Sequence, residues 1–224
     1  MLDWPTLAAQ LKEGLAALPI EVDEFQQQQL LDYVQLLQRW NQVYSLTAVR
    51  TPSQMISRHL LDSLALMPYV RGTRVLDVGS GPGLPGIPLA VCRASTHMTL
   101  LDSNAKKTRF LLQAVQALKL GNVEVLKQRV EAYFPTPRFD TVIARAFGSL
   151  TTLVRQAGHL VAPLGCLMVM KGGVPKDELN ELGEVRDAIE VVRLQVPQVD
   201  AERHLVIISE AVLRACSNSR LRAH

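Results

Sequence analysis

From residue 75 to 86 the chain reads Val-Leu-Asp-Val-Gly-Ser-Gly-Pro-Gly-Leu-Pro-Gly, an apolar run that breaks into a glycine-rich turn. Glycines there let the backbone reach positive φ and let a ligand approach without an intervening Cβ. Gly81 to Gly86 match G-x-G-x-x-G, and Asp102 follows about twenty residues on, so a dinucleotide is the first ligand to weigh. Two features oppose a diphosphate. Asp77, at the end of the apolar run, repels phosphate and attracts an ammonium group through charge-assisted hydrogen bonds. Pro82, Pro85 and Pro88 remove backbone N–H groups that would cradle phosphate. A nucleoside without phosphates suits the turn better. S-adenosylmethionine fits, with its cationic amino-acid tail near the glycines and its ribose hydroxyls on Asp102. Taken singly, Asp77 reads equally as a turn cap and Asp102 as a helix cap. Together, at the ends of neighbouring strands, they favour a ligand crevice.

The elements that must position these residues follow from periodicity. Short apolar runs at 74–78, 98–102, 123–126, 141–144 and 166–170 alternate with amphipathic stretches, the pattern of a parallel sheet covered on both faces. Asn104 caps a helix over 105–120, which is expected to end at Gly121 in a left-handed conformation. Runs at 191–196 and 204–209 predict a final antiparallel hairpin. Before residue 71 the pattern is helical. Asp23 is a candidate N-cap for Phe25, Leu30, Tyr33, Val34, Leu37 and Trp40 at helical spacing. A second helix is predicted from Thr51, its hydroxyl capping and Pro52 in the first turn, toward Pro68. The expected fold is α/β, a mostly parallel seven-stranded sheet of the Rossmann-like kind. A helical lobe, 1–70, precedes the cofactor domain, 71–224, and packs with it as one unit.

With 224 residues, 48% of them apolar and 20% charged, the chain has the material for one domain with an accessory lobe. It has no uninterrupted apolar run of the ~18 residues that suggest a membrane span and no secretory pattern at its start, so a cytoplasmic location is expected. Cys92, Cys166 and Cys216 form no C-x-x-C pair and are odd in number, which excludes a disulfide framework or a cysteine-only zinc site. Buried small hydrophobes are expected at Cys92 and Cys166. No His/Cys/Asp cluster has metal spacing, so no metal is expected. Residues 1–70 carry 4 Lys/Arg against 7 Asp/Glu, whereas residues 71–224 carry 20 against 14. That asymmetry suits either a phosphate-facing surface or an ordinary solvated one.

The string from Leu76 to Pro88 resembles the loop of the bacterial 16S rRNA methyltransferase family RsmG, also called glucose-inhibited division protein B. The similarity extends to Arg39-Trp40-Asn41 with Leu46-Thr47, Arg58 to Ser63, Leu100 to Ser103, Ile143 to Phe147, Lys171-Gly172 and Glu202 to Leu205. It covers nearly the whole chain. The resemblance implies a class I S-adenosylmethionine-dependent methyltransferase that modifies guanine N7, at guanine 527 in the 530 loop of 16S rRNA. S-adenosylhomocysteine would be the product, and the substrate would lie within the small ribosomal subunit or its precursor. It further implies cofactor contacts at Gly79, Leu84, Val130, Glu131 and Arg145, beside Asp77, Gly81 and Asp102 from the reading above. A monomer is expected.

Guanine N7 offers a lone pair at neutral pH, so its methylation needs alignment rather than a base; orientation alone supplies roughly 7–11 kcal/mol. Accordingly, no catalytic dyad is expected, and there is neither a cysteine nucleophile near the site nor an N/D-P-P-Y string after the fourth strand. Arg145 and Lys171 are candidates for orienting the substrate. Arg145 contacts phosphate, guanine O6 or the cofactor, or pairs with Glu131 or another local carboxylate. Lys171 is a candidate phosphate contact, and Phe147 either stacks on the guanine or belongs to the core. His59 and His204 bind RNA, orient the lobe or satisfy buried polar groups. A nicotinamide-dependent oxidoreductase and a noncatalytic ribosome-assembly factor that binds RNA are the competing functions.

Overall fold

The computed structural model describes residues 3–221. Its sheet has seven strands: β1 (Arg74–Val78), β2 (His97–Leu101), β3 (Val123–Leu126), β4 (Phe139–Arg145), β5 (Val161–Lys171), β6 (Glu190–Arg193) and β7 (His204–Ser209). Their order is β3-β2-β1-β4-β5-β7-β6. The first five run parallel; β7 is antiparallel to β5 and to β6, forming the expected closing hairpin. The chain winds outward from β1 in one direction and from β4 in the other. The loops leaving these two strands therefore face each other across a topological switch point, where open α/β sheets bind ligands.

Alternation along the strands sends side chains to two apolar layers. One layer joins Val75, Leu100, Ile143 and Met168 to α5 (Gly86–Cys92) and α6 (Ala105–Ala117). The same layer takes in Leu7 and Leu11 of α1 (Trp4–Ala16) and Leu30 and Leu37 of α2 (Glu24–Tyr44). The lobe thus shares its core with the sheet. The opposite layer packs Leu76, Val142, Val169 and Ile208 against α7 (Leu150–Ala157) and α9 (Glu210–Leu221).

Asp23 caps α2 as expected, in a reciprocal capping box with Gln26. The glutamine run does more than tolerate a helix. Gln26 donates to the Val91 carbonyl and Gln29 to the Leu118 carbonyl, anchoring the lobe to the ends of α5 and α6. Farther along α2, Tyr33 is fully buried and donates to the Pro82 carbonyl at 2.7 Å, so the lobe also grips the glycine turn.

Three expectations need correction. Thr51 contributes its carbonyl, which accepts from Met55 N, but no side-chain cap. The helix after it is not uniform: α3 (Pro52–Met55) passes into a π-helical segment, Ile56–Leu61, and then α4 (Asp62–Leu64). The left-handed residue after α6 is Lys119, at φ 55°, not Gly121. There Leu120 N bonds to Val115 O and Lys119 N to Gln116 O, the Schellman pairing, and buried Leu120 fixes where the turn closes. No helix among the described residues is long and apolar enough to cross a membrane.

Candidate cofactor and acceptor site

The turn after β1 uses up its own hydrogen-bonding groups. Gly79 N and Ser80 N donate to the Leu101 carbonyl, at 2.8 and 3.2 Å, and Gly81 N donates to Asp102 Oδ2 at 2.9 Å. Gly83 N and Leu84 N share the Ser80 carbonyl, Gly86 N donates to Asp77 Oδ2 at 3.0 Å, and Ile87 N donates to the Gly83 carbonyl. The remaining positions are prolines. No backbone donor is left in this turn to hold a diphosphate, which removes the physical basis of the dinucleotide reading.

A cavity of about 500 Å³ opens beside the turn, lined by Gly79, Leu101, Asp102, Val130, Glu131 and Phe147 among others. Its size is within the range of small-molecule sites. Asp102 projects from just past β2 and is held by Gly81 N and by Asn104 N at 2.8 Å, with Lys107 at 3.9 Å. Its carboxylate therefore props the turn while lining the cavity, so the two readings of this residue coexist. Val130 and Glu131 lie on a 3-10 turn after β3, and Glu131 accepts from Gln156 at 3.4 Å. A fit for S-adenosylmethionine follows from this donor set: an acidic rim for hydroxyls, a small apolar wall and no phosphate cradle.

Gly81 and Leu84 line a smaller adjoining cavity of about 190 Å³, with Leu46, Thr47, His59, Lys107 and Arg145. A third, of about 390 Å³, is lined by Asp62, Arg145, Phe147, Met170, Lys171 and Arg203 among others. Ala146 lines all three, and its φ of 53° is unusual for a residue with a side chain. Phe147 lines both larger cavities, and its ring lies so close to Gly79 that a Cβ there would collide with it. The ring is a partition between them. Gly79, at φ 67°, is glycine for both reasons.

Arg145 ends β4. Its carboxylate partner is Asp62 of the lobe at 3.4 Å rather than Glu131, and it donates to the Arg58 carbonyl at 3.1 Å. Asp62 is 1% exposed and also receives Arg203 at 2.8 Å, so one buried carboxylate orders two arginines at the third cavity. Arg145 Nη1, the atom that faces Asp62, is buried and makes no hydrogen bond of good geometry. Sequence reasoning gave Asp62 and Arg203 no role, although both stand in the strings that carried the resemblance. What it lacked was the pairing, which joins positions 141 residues apart.

Asp77 lines none of these cavities. It is fully buried beneath the turn, one oxygen on Gly86 N and the other, Oδ1, without a partner. Burial pushes its pKa up to about 7, against the pull of Gly86 N–H, Ser80 and Arg145. His59 bonds Thr47 at 2.9 Å and the Arg58 carbonyl at 3.0 Å; burial and the nearby Arg145 charge lower its pKa to about 4, so it is neutral at pH 7. His204 is buried on β7, and its Nδ1 has no partner. Burial raises the Cys92 thiol to about 12 and also raises Cys166, which makes both poor nucleophiles. Among the described residues no group of three or more His, Cys, Asp or Glu is placed to hold a metal ion.

The family model for rRNA small subunit methyltransferase G matches residues 26–206. A ribosomal RNA small subunit methyltransferase G of Nitrosococcus oceani is 52% identical over 196 residues, 88% of this chain and 92% of that protein. One from Edwardsiella ictaluri is 48% identical over 200 residues, 89% and 97% of the two chains. Among solved structures, a SAM-dependent methyltransferase from Aquifex aeolicus superposes with TM-score 0.53 at 21% identity, over 71% of this chain and 93% of that one.

Proposed function

Since the chain belongs to the rRNA small subunit methyltransferase G family, we propose that it methylates N7 of a guanine in 16S rRNA, guanine 527 of the 530 loop. The cofactor is S-adenosylmethionine. When bound, it supplies a methyl group carried on a sulfonium. In this reading Asp102 accepts the ribose hydroxyls, Val130 and Glu131 flank the adenine, and Gly79, Gly81 and Leu84 accommodate the amino-acid tail. The acceptor base enters the cavity beyond Phe147.

The observation that carries the N7 assignment is the state of the groups around that cavity. Its carboxylate, Asp62, is committed to two arginines, and His59 nearby is neutral with both nitrogens engaged. N7 needs no proton removed, whereas an exocyclic amine or ribose hydroxyl must lose one. Alignment is then what the chain contributes. The lobe supports an RNA acceptor too. Arg39, Arg50 and Arg58 are exposed with no acidic partner among the described residues, and all follow the midpoint of α2 in sequence. Glu21, Asp23 and Glu24 cluster at the helix start, about 22 Å along the axis from Arg39 at 1.5 Å per residue. Among the lobe's described carboxylates Asp62 alone lines the acceptor cavity, and it is paired with two arginines.

Incubating unmodified small subunits with labelled S-adenosylmethionine and mapping the modified base tests the assignment. Label at N7 of one 530-loop guanine supports it; label on another atom or base rejects it, and unlabelled RNA favours a noncatalytic binder.

Asp77 gives a pH prediction that rests on the same reading. A cofactor ammonium held over the turn that covers Asp77 acts on the buried carboxylate by its charge and favours the ionised form, so binding expels a proton wherever the free protein holds one. S-adenosylhomocysteine affinity is expected to climb with pH by about tenfold per unit well below 7 and to level off above it. Asp77→Asn should flatten that slope; an unchanged slope in the variant would detach Asp77 from the ligand. For the free protein the sign is opposite. A raised pKa stabilises the fold most below about pH 4, and that contribution is lost as pH rises through 7.

A further inference from the structure

The turn that carries Phe147 is strapped from one side by a single ion pair. Lys171 Nζ, at the end of β5, donates to the Gly148 carbonyl at 3.0 Å and to both oxygens of Glu178, at 2.9 and 2.8 Å. Glu178 lies on α8 (Lys176–Asn180), and its Oε2 accepts from Leu150 N at 2.6 Å. One pair thus fixes the carbonyl two residues before Leu150 and the amide of Leu150 itself. Between them Ser149 caps α7 by accepting from Thr152 N. The segment just before is conformationally costly at Ala146, whose φ of 53° is disfavoured for a residue with a side chain, while Gly148 on the other side of Phe147 takes φ 112°, which glycine adopts without that cost. A turn of that kind holds one geometry only when its surroundings over-determine it.

Lys171 is mostly buried and its three N–H donors have three partners, all within the chain. A contact with RNA phosphate, the role expected from its position at the end of β5, would require breaking this arrangement. We propose instead that Lys171 and Glu178 are positioning residues. They hold the 146–150 turn so that the Phe147 ring stays over Gly79, between the cofactor cavity and the acceptor cavity. The strap acts on alignment and not on affinity, because neither residue lines the cofactor cavity. This rests on the methyltransferase reading only for its effect on rate; the strap itself is a statement about the protein alone.

The test pairs two readouts on Lys171→Met, Glu178→Gln and the double variant. The first is amide hydrogen exchange of residues 146–150 in the free protein, expected to quicken at least tenfold in each single variant. Unchanged exchange would dispose of the strap whatever the RNA does. The second is single-turnover methylation of small subunits. Each single variant should lose about 10- to 100-fold in rate, with S-adenosylhomocysteine affinity within threefold of the parent, and the double variant should be no worse than the poorer single one. The salt dependence of RNA affinity should not change. Additive losses, or a salt slope shallower by about one phosphate contact in Lys171→Met alone, would return Lys171 to the RNA and overturn the proposal. Faster exchange with unaltered rates would overturn the positioning role. Should the parent protein fail to methylate small subunits, the functional reading falls, and the exchange result still judges the strap.

Discussion

Asp102→Ala is expected to weaken S-adenosylhomocysteine binding by at least about 100-fold, the largest cofactor effect expected of a single substitution at this site. The carboxylate accepts Gly81 N and Asn104 N while 6% exposed. Hydrogen bonds to a charged group contribute about 1.5–3 kcal/mol each, and a buried donor left unsatisfied costs about 1–3 kcal/mol. The substitution removes the acceptor for the ribose and, with it, the prop under the glycine turn. Asp102→Asn keeps an acceptor for Gly81 N but gives up the charge and half the acceptor capacity, so an intermediate loss is expected. Calorimetric titration of both variants checks this. Equal affinity in Asp102→Ala and the parent would take the ribose away from this residue and confine it to capping.

Arg145→Met is expected to have the largest effect on the reaction, lowering single-turnover methylation by more than about 100-fold, and to destabilise the fold as well. Asp62, 2% exposed at its side chain, would keep Arg203 alone, and the Arg58 carbonyl would lose its donor. Breaking a buried pair costs about 3–5 kcal/mol when a charge is left uncompensated. Asp62 retains one cation and Arg145 is partly solvated, so about 2–3 kcal/mol is the better expectation. At a few degrees per kcal/mol for a chain of this size, Tm should fall by about 5–10 °C. A cation at N7 would oppose the charge created there, so the partly exposed Arg145 side chain is better matched to a flanking phosphate, while Nη1 stays buried against Asp62. The salt dependence of RNA affinity should then become shallower by roughly 0.7–0.9 in log–log slope. A slope identical to the parent's would leave Arg145 with the lobe-anchoring role alone. Opposite outcomes for Arg145 and Lys171 are therefore expected in one assay, although both end neighbouring strands at the same cavity.

The sheet was legible because its signal is local. Alternating apolar runs and the Asp23 and Asn104 caps are properties of a few adjacent residues, and they appear where they were expected. Where sequence reasoning missed, a choice depended on distant atoms. Lys119 takes the left-handed position because buried Leu120 closes the turn, while Gly121, the residue that composition favours, lies two residues too late. The π-helical segment has no composition signature at all; it lies where Arg58, His59 and Asp62 all meet the region of Arg145.

The site divides the same way. The glycine turn after β1 and Asp102 after β2 could be placed beside the cavity because their types and spacing encode a conformation and a charge at neighbouring strand ends. Asp77 could be found but not placed: an aspartate at a strand end is compatible with facing the ligand or the turn above it, and in the folded chain one oxygen does the second while the other is unpartnered. The ion pairs of Arg145 with Asp62 and of Lys171 with Glu178 decide what each cation is free to do. Residue type alone cannot distinguish a cation already spent on the protein from one available to RNA. The same limit explains why Phe147 reads as core or as stacking surface: in the structure it packs partly on the apolar layer and also walls two cavities.

A crystal structure of the protein with S-adenosylhomocysteine tests the central claim most directly. The nucleoside is expected in the cavity beside Gly79, its ribose hydroxyls on the Asp102 carboxylate, its adenine between Val130 and Glu131, and its sulfur facing Phe147. Density for the ligand elsewhere, or a cavity that stays empty at saturating concentration, would contradict that claim.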